Sequence, residues 1–240
     1  MRIDTYFTVP EVDVPSIAEA TVAVIDVVRA TTTIIEALAN GARTIYPTEA
    51  TEDAVRLASS LGREDTLLCG ERRGRKIEGF DLGNSPGEYT AETVDGKKLV
   101  MSTSNGTRAL MVGQEGKRLL PAAFTNLAAV AREVGEDEHL VIICAGEDDR
   151  FSLDDALCAG HLIQRVVTNS DESHEFNDAA RAARALASAR APTRQILSLA
   201  HGGVALAELG MAADLDICAE VDRHDIVAQM IDQAIKRVGA

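Results

Sequence analysis

Two stretches concentrate side chains able to do chemistry: residues 70–86, GERRGRKIEGFDLGNSP, and residues 102–108, STSNGTR. The first interleaves Glu71, Glu78 and Asp81 with Arg72, Arg73, Arg75 and Lys76, and spaces Gly70, Gly74, Gly79 and Gly83 among them. Carboxylates collect cations, guanidinium and ammonium groups collect anions, and glycine lets backbone come close to either. Such a composition describes an anion site beside a cation site, carried on loops. A third feature is Asp26 near the end of the apolar run TVAVIDVV, followed by Arg29 and by Thr31, Thr32 and Thr33. Asp26 there either pairs with Arg29 and nearby amides or faces a ligand. Thr31 or Thr32 either caps the following helix or leaves its free N–H groups to an anion.

These residues need elements to hold them. The nearly unbroken apolar run at 21–28 predicts a strand buried on both faces, and further strands are expected at 3–9, 45–46, 66–69, 98–102, 119–121 and 139–146. Helices are expected from Thr31 to a stop at Asn40-Gly41, over 51–61 with Val55, Ala58 and Leu61 inward, from 107 through Leu110 and Met111, and over 126–134. Ser152 and Asp155 have capping-box spacing before a helix carrying Leu157, Gly160, Ile163 and Val166; the Ala/Arg tract after Asp178 and residues 227–238 complete the helical set. The alternation predicts a layered α/β/α fold with a mixed or mostly parallel sheet. Parallel strands would bring the loops at 26–33, 102–108 and 144–155 to one sheet edge, where α/β proteins bind ligands. Residues 1–168 read as the main α/β domain with most of the site. Residues 169–240 read as a C-terminal helical and α/β portion of the same or a separate domain, with 169–174 as a soft boundary.

Composition narrows the function. Of 240 residues, 24 are basic and 38 acidic, a net charge of -14, which disfavours nucleic acid and anionic membranes as partners. Arginine outnumbers lysine, and the acidic excess is spread along the chain, a pattern suited to high salt. Aromatic residues make up only 3%, so the core must rest on Ala, Val, Leu and Ile. Cys69, Cys144, Cys158 and Cys218 form no CxxC pair and read as reduced thiols. No signal peptide is evident and no apolar run approaches the ~20 residues of a bilayer span, so a cytoplasmic protein is expected.

The P-loop, GxGxxG, GxSxG and HExxH signatures are absent. Cys144 and Arg150 have the Cys-x5-Arg spacing of a thiol phosphate cradle, but Glu147, Asp148 and Asp149 would put carboxylates inside it and raise the thiol pKa. A small buried Cys at a strand end is the competing reading.

Taken in order, IDVVRATTT, GERRGRKIEGFDLGNSP, STSNGTRAL, CAGEDDRFSLDDALCAG and the later HGG with DICAEVD resemble the 2-phosphosulfolactate phosphatase family over nearly the whole chain. The resemblance implies an unusual α/β fold, distinct from that of haloacid dehalogenase phosphatases. It also implies Mg2+-dependent release of phosphate from 2-phosphosulfolactate, giving 3-sulfolactate, in coenzyme M biosynthesis. The pattern departs at Asp149, where a Gly is expected, and at Gly203 and Val204, where basic residues are expected. On this resemblance Asp26, Glu71 and Asp81 are the candidates for holding Mg2+. Arg29, Thr31, Arg72, Lys76, Asn84, Ser85, Asn105, Gly106, Thr107 and Arg108 are those for substrate. Asp26, Glu78 and Asp155 are the catalytic candidates, with Glu78 or Asp155 as general base. The expected partner is a small anionic phosphorylated acid, and self-association into a homo-oligomer is compatible with it. Other short 2-phospho acids, such as phosphoglycolate or phospholactate, are alternative substrates, and a non-catalytic anion-binding protein is the alternative class.

Overall fold

A computed structural model describes residues 1–169 and 173–239. Eleven strands form a mixed sheet among them: β1 (Arg2–Tyr6), β2 (Thr21–Ile25), β3 (Thr44–Pro47), β4 (Thr66–Arg72), β5 (Arg75–Lys76), β6 (Lys98–Ser102), β7 (Arg118–Ala122), β8 (His139–Cys144), β9 (Glu175–Phe176), β10 (Ala228–Ile231) and β11 (Ala234–Arg237). The helices are α1 (Val14–Ile17), α2 (Ala30–Ala39), α3 (Thr51–Leu61), α4 (Ala91–Val94), α5 (Gly106–Gly113), α6 (Leu127–Glu133), α7 (Leu153–Thr168), α8 (Asp178–Ala189), α9 (Arg194–Leu197), α10 (His201–Glu208) and α11 (Asp214–Cys218). The strand order is β5-β4-β6-β3-β11-β10-β7-β2-β8-β1-β9.

Two parallel blocks make up this sheet, β4-β6-β3 and β7-β2-β8-β1-β9, and the antiparallel β10-β11 hairpin lies between them. The hairpin joins each block through a single residue pair, Met230 with Leu119 and Ile235 with Ile45. Both joins are antiparallel, so the two blocks run in opposite senses. β2 is buried throughout because both of its faces are covered. Ala23 and Ile25 meet α6, α7 and α8 on one side, and Val22 and Val24 meet α2 and α5 on the other. A third cluster sets Ala54 and Ala58 of α3 against Leu68 and Val100. Each fully buried Val, Leu or Ile contributes about 1.5–3 kcal/mol, so a core poor in aromatics is sufficient.

The hairpin corrects the helix expected over 227–238. Asp232 and Gln233 both have positive φ, 50° and 62°, which makes a two-residue turn without the glycine that would mark one in the sequence. Burial at Ala228 and Met230 then follows strand alternation. In α3 the inward stripe is Ala54, Leu57, Ala58 and Leu61; Val55 is 45% exposed, one position off the 3.6-residue face. The capping box at Ser152 does not form, for the Ser152 hydroxyl donates to Asp154 and Asp155 bonds elsewhere. α8 packs on α7, where a Cβ at Gly160 would lie 2.0 Å from the Ala183 carbonyl oxygen, so the segment from 173 onward is woven into the same layers. Of the boundary expected at 169–174, residues 170–172 lie outside those described.

Candidate functional site

The ends of β2, β4, β6 and β8 converge on a cavity of about 230 Å³. Asp26 follows β2, Glu71 sits near the end of β4, Ser104 and Asn105 follow β6, and Gly146 and Glu147 follow β8; Asp154 and Asp155 come from the first turn of α7. Strands of the two blocks therefore point at one space from opposite senses.

Asp26 is fixed by the start of α2. Its Oδ1 accepts from the Ala30 amide at 3.0 Å, and Thr31 ties both backbone groups of Asp26, its Oγ1 donating to the Asp26 carbonyl (2.8 Å) and accepting from the Asp26 amide (2.9 Å). Thr32 and Thr33 donate to the Val27 and Asn84 carbonyls. The buried threonines are thus pins between strand end, helix and the 84–86 loop. Thr31 is fully buried against Asp26 and is off the cavity lining. α5 enters the site in the same way: a Cβ on Gly106 would meet Ala30 Cβ at 2.4 Å and Asp26 Oδ2 at 2.6 Å, so only glycine lets this helix start against the carboxylate. Thr107 is buried, bonded through its amide and hydroxyl to Thr103.

Glu71 faces the cavity because its oxygens accept from the amides of Ser104 (2.8 Å) and Gly74 (2.7 Å). The neighbouring Arg72 points to the opposite side, donating to the Glu49 carbonyl and the Ser102 hydroxyl. Asp155 spans two strand ends, with Oδ1 on the Val27 amide and Oδ2 on the Gly146 amide. The Arg29 guanidinium, joined to the strand end through a cis Val28–Arg29 peptide, is buried against Asp214 (2.7 Å) and the Gly74 carbonyl (2.8 Å). Ser85 stands one step behind it, bonded to Asp214 at 2.5 Å. Asn84 lines the cavity and is buried, and its Oδ1 has no hydrogen-bond partner.

Carboxylates dominate the electrostatics. Burial pushes Asp26 up to about 7, against the lowering bond from the Ala30 amide, with Asp154 and Glu71 adding repulsion. Burial also raises Asp154, helped by Glu147, and it holds Asp155 well above the usual carboxylate range, reinforced by Asp154 and Asp26. Among the described residues, six carboxylates line the space against two guanidinium groups, Arg29 and Arg73. Such a group is deficient in positive charge.

Of the residues proposed from the sequence, Asp26, Arg29, Glu71, Asn84, Asn105 and Asp155 line the cavity, and Gly106 abuts it. Asp81 is elsewhere, with Arg63 and the Leu68 amide; Lys76 is exposed and reaches toward the Asp81 carbonyl; Glu78 is exposed and off the lining. Arg108 pairs with Asp149 and is also off the lining. Asp154, Ser152, Ser104, Glu147 and Arg73 also line the cavity, though none is among the site candidates drawn from the sequence. Asp154 was accessible by the rule that picked Asp155, since both open a helix after a strand. Nothing in the sequence separates Arg73 from its basic neighbours.

The thiol cradle is not formed. Cys144 is fully buried among apolar side chains, its thiol is pushed well above its usual pKa by burial and then by Asp155, and it does not line the cavity. Residues 147–150 make a tight turn in which Glu147 and Arg150 exchange backbone hydrogen bonds, with Asp148 and Asp149 at φ 49° and 61°. Asp149 holds the left-handed position that a glycine would occupy at least cost.

Three carboxylates or other metal-binding side chains gathered as a ready-made chelate are absent among the described residues. Mg2+ does not require one, since it keeps several waters and takes one or two carboxylates. The donor set fits such an ion: oxygen donors only, an excess of negative charge, an Asp26 Oδ2 beside the Gly106 cradle, and an orphaned Asn84 Oδ1 able to accept from a coordinated water.

Known proteins resemble this chain over nearly its whole length. The 2-phosphosulpholactate phosphatase family model matches residues 6–233. A protein of Caldanaerobacter subterraneus subsp. tengcongensis named "Probable 2-phosphosulfolactate phosphatase" is 37% identical over 232 residues, 96% of this chain and 95% of that one. Proteins bearing the same name in Clostridium novyi and Clostridium perfringens are 37% identical over 230 residues (95% of this chain, 97% of that one) and 36% over 242 (99% and 97%).

Proposed function

The chain belongs to the 2-phosphosulpholactate phosphatase family, and on that premise we propose that it is a Mg2+-dependent phosphatase releasing phosphate from 2-phosphosulfolactate to leave 3-sulfolactate. The observation that carries the metal-dependent reading is the cluster of buried carboxylates with raised pKa around one cavity, Asp26, Asp154 and Asp155, opposed by few cations.

A bound Mg2+ would draw charge from the phosphoryl oxygens, which otherwise repel an attacking water. Asp26 and Asp154 are the carboxylates to hold it, with Asn84 Oδ1 accepting from its water shell and Glu71 adding negative charge. Asp81, remote from the cavity, has no part in this assignment. The phosphoryl group is received at the start of α5, where the Asn105 and Gly106 amides have no partner in the backbone ladder and the helix N-terminus favours an anion. Arg29 stands beside it with its guanidinium plane fixed by Asp214 and Gly74. Asp155, oriented by two strand-end amides, takes the proton from the attacking water in preference to the exposed Glu78.

The test is phosphate release over a panel of 2-phospho acids, with EDTA abolishing turnover and Mg2+ restoring it. Turnover that persists in metal-free protein removes the metal from the mechanism.

A further inference from the structure

Arg73 is a second cation in the cavity wall, and its setting differs from that of every other basic residue in residues 70–86. It occupies the tip of the β4-β5 hairpin at φ 52°, a left-handed conformation that Arg rarely adopts. The turn is fixed from both sides, because the Gly74 amide donates to Glu71 at 2.7 Å and the Gly74 carbonyl accepts from Arg29 at 2.8 Å. It also seats against α10, for a Cβ on Gly74 would lie 2.5 Å from Leu209 Cδ1. A strained residue persists where its surroundings over-determine it, and here the fixed turn sets the exposed Arg73 on the cavity wall. Arg29 is committed to Asp214 and Gly74, Arg72 turns away, and Arg108 is paired with Asp149. Arg73 makes no hydrogen bond or ion pair to any described residue.

Resting on the proposed function, we infer that Arg73 binds the sulfonate of the substrate and thereby sets the preference for a sulfonated 2-phospho acid. The phosphoryl group and the carboxylate flank the same carbon and would lie together beside the α5 amides, on the side where Asp26 and Asp154 would hold the cation. The sulfonate is one bond further out and projects toward the hairpin tip and the α10 wall of Gly202, Ala205, Leu206 and Leu209. Among the described residues the cavity is lined by six carboxylates, which repel a polyanion, and by one uncommitted cation, Arg73, which therefore has a large effect on which anion enters.

Arg73→Gly removes the cation and relaxes the turn, and Arg73→Lys keeps a charge without the planar fork. With 2-phosphosulfolactate, KM should rise at least about tenfold in Arg73→Gly with kcat changing little, the loss expected for one charge-assisted hydrogen bond, and Arg73→Lys should recover part of it. With 2-phospholactate, which lacks the sulfonate, kcat/KM should be nearly unchanged. Calorimetry with 3-sulfolactate and lactate reads the same contact without turnover: the wild type should bind the sulfonate more tightly, and Arg73→Gly should lose that preference. Equal losses on both substrates, or no loss on either, overturns the assignment. Arg73-dependent 3-sulfolactate binding without turnover leaves it standing and sinks the proposed reaction. Turnover of 2-phosphosulfolactate indifferent to Arg73 does the reverse, and a wild type that neither turns over nor binds the sulfonate sinks both.

Discussion

The floor of the cavity takes Asp26, Asp154 and Asp155 from the end of a fully buried strand and the first turn of the longest helix, whereas its roof takes Glu71, Arg73 and Asn84 from a hairpin and the loop beyond it. Buried sheet and helix anchor every floor carboxylate through backbone amides or a neighbouring hydroxyl. On the roof, strand alternation turns Glu71 inward and Arg72 outward, and the left-handed turn at Arg73 brings that residue back to the cavity lining. Local charge density therefore says little about which side chains meet a ligand. Strand parity and the turn that ends the strand decide it.

If that contrast is right, the floor carries the rate and the roof carries selectivity. Asp26→Asn keeps the side chain's shape while removing one charge from the metal-side cluster, and kcat should fall by roughly 10²-fold or more, the scale of losing one preorganised electrostatic contact. Steady-state phosphate release with circular dichroism as a folding control measures it. A larger kcat loss in Arg73→Gly than in Asp26→Asn would invert the division of labour.

A second outcome concerns stability. The folded pKa of Asp26, about 7, lies above the ordinary carboxylate value, so between the two the native state binds more protons than the unfolded chain. Metal-free protein should therefore gain melting temperature as pH falls through about 7, and that gain is lost again as pH rises. Asp154 and Asp155 act in the same direction. Saturating Mg2+ should flatten the slope and Asp26→Asn should reduce it; a metal-free melting curve indifferent to pH across this window would contradict a charge-deficient floor.

The smallest expected effect sharpens the boundary of the floor. Cys144 sits on the neighbouring strand end but inside the apolar core, so Cys144→Ser should keep at least a tenth of wild-type turnover, no more than ~1.4 kcal/mol of barrier. A folded, inactive Cys144→Ser protein would restore the thiol mechanism.

Much of the floor was legible in the sequence because it obeys local rules. Strands buried on both faces read as apolar runs; Asp26 falls just past the end of one, and Asp155 opens the helix that follows another. The roof was legible only as a neighbourhood. Asp81, Lys76 and Glu78 have the same composition and glycine spacing as Glu71 and Arg73, yet they lie off the lining, since direction along a short hairpin depends on a turn that the sequence does not announce. Arg29 reads as a free anion-binding cation until Asp214, far along the chain, is brought against it. The β10-β11 hairpin was unreadable for a related reason: VAQMIDQAIKRV carries helical periodicity, and only the slot between the two blocks makes it a pair of strands.

That hairpin also governs how the molecule reaches its native state. The two blocks share no strand, and the pairs that sew them together, Ile45 with Ile235 and Leu119 with Met230, join the first half of the chain to its far end. On the ribosome, both half-sheets have emerged before the segment that stitches them exists outside the exit tunnel. Each must wait with an unpaired edge, at β3 and at β7, and closing such distant contacts is slow. The nascent chain thus passes through a period when strand edges are open to other chains, an aggregation hazard that belongs to its biogenesis.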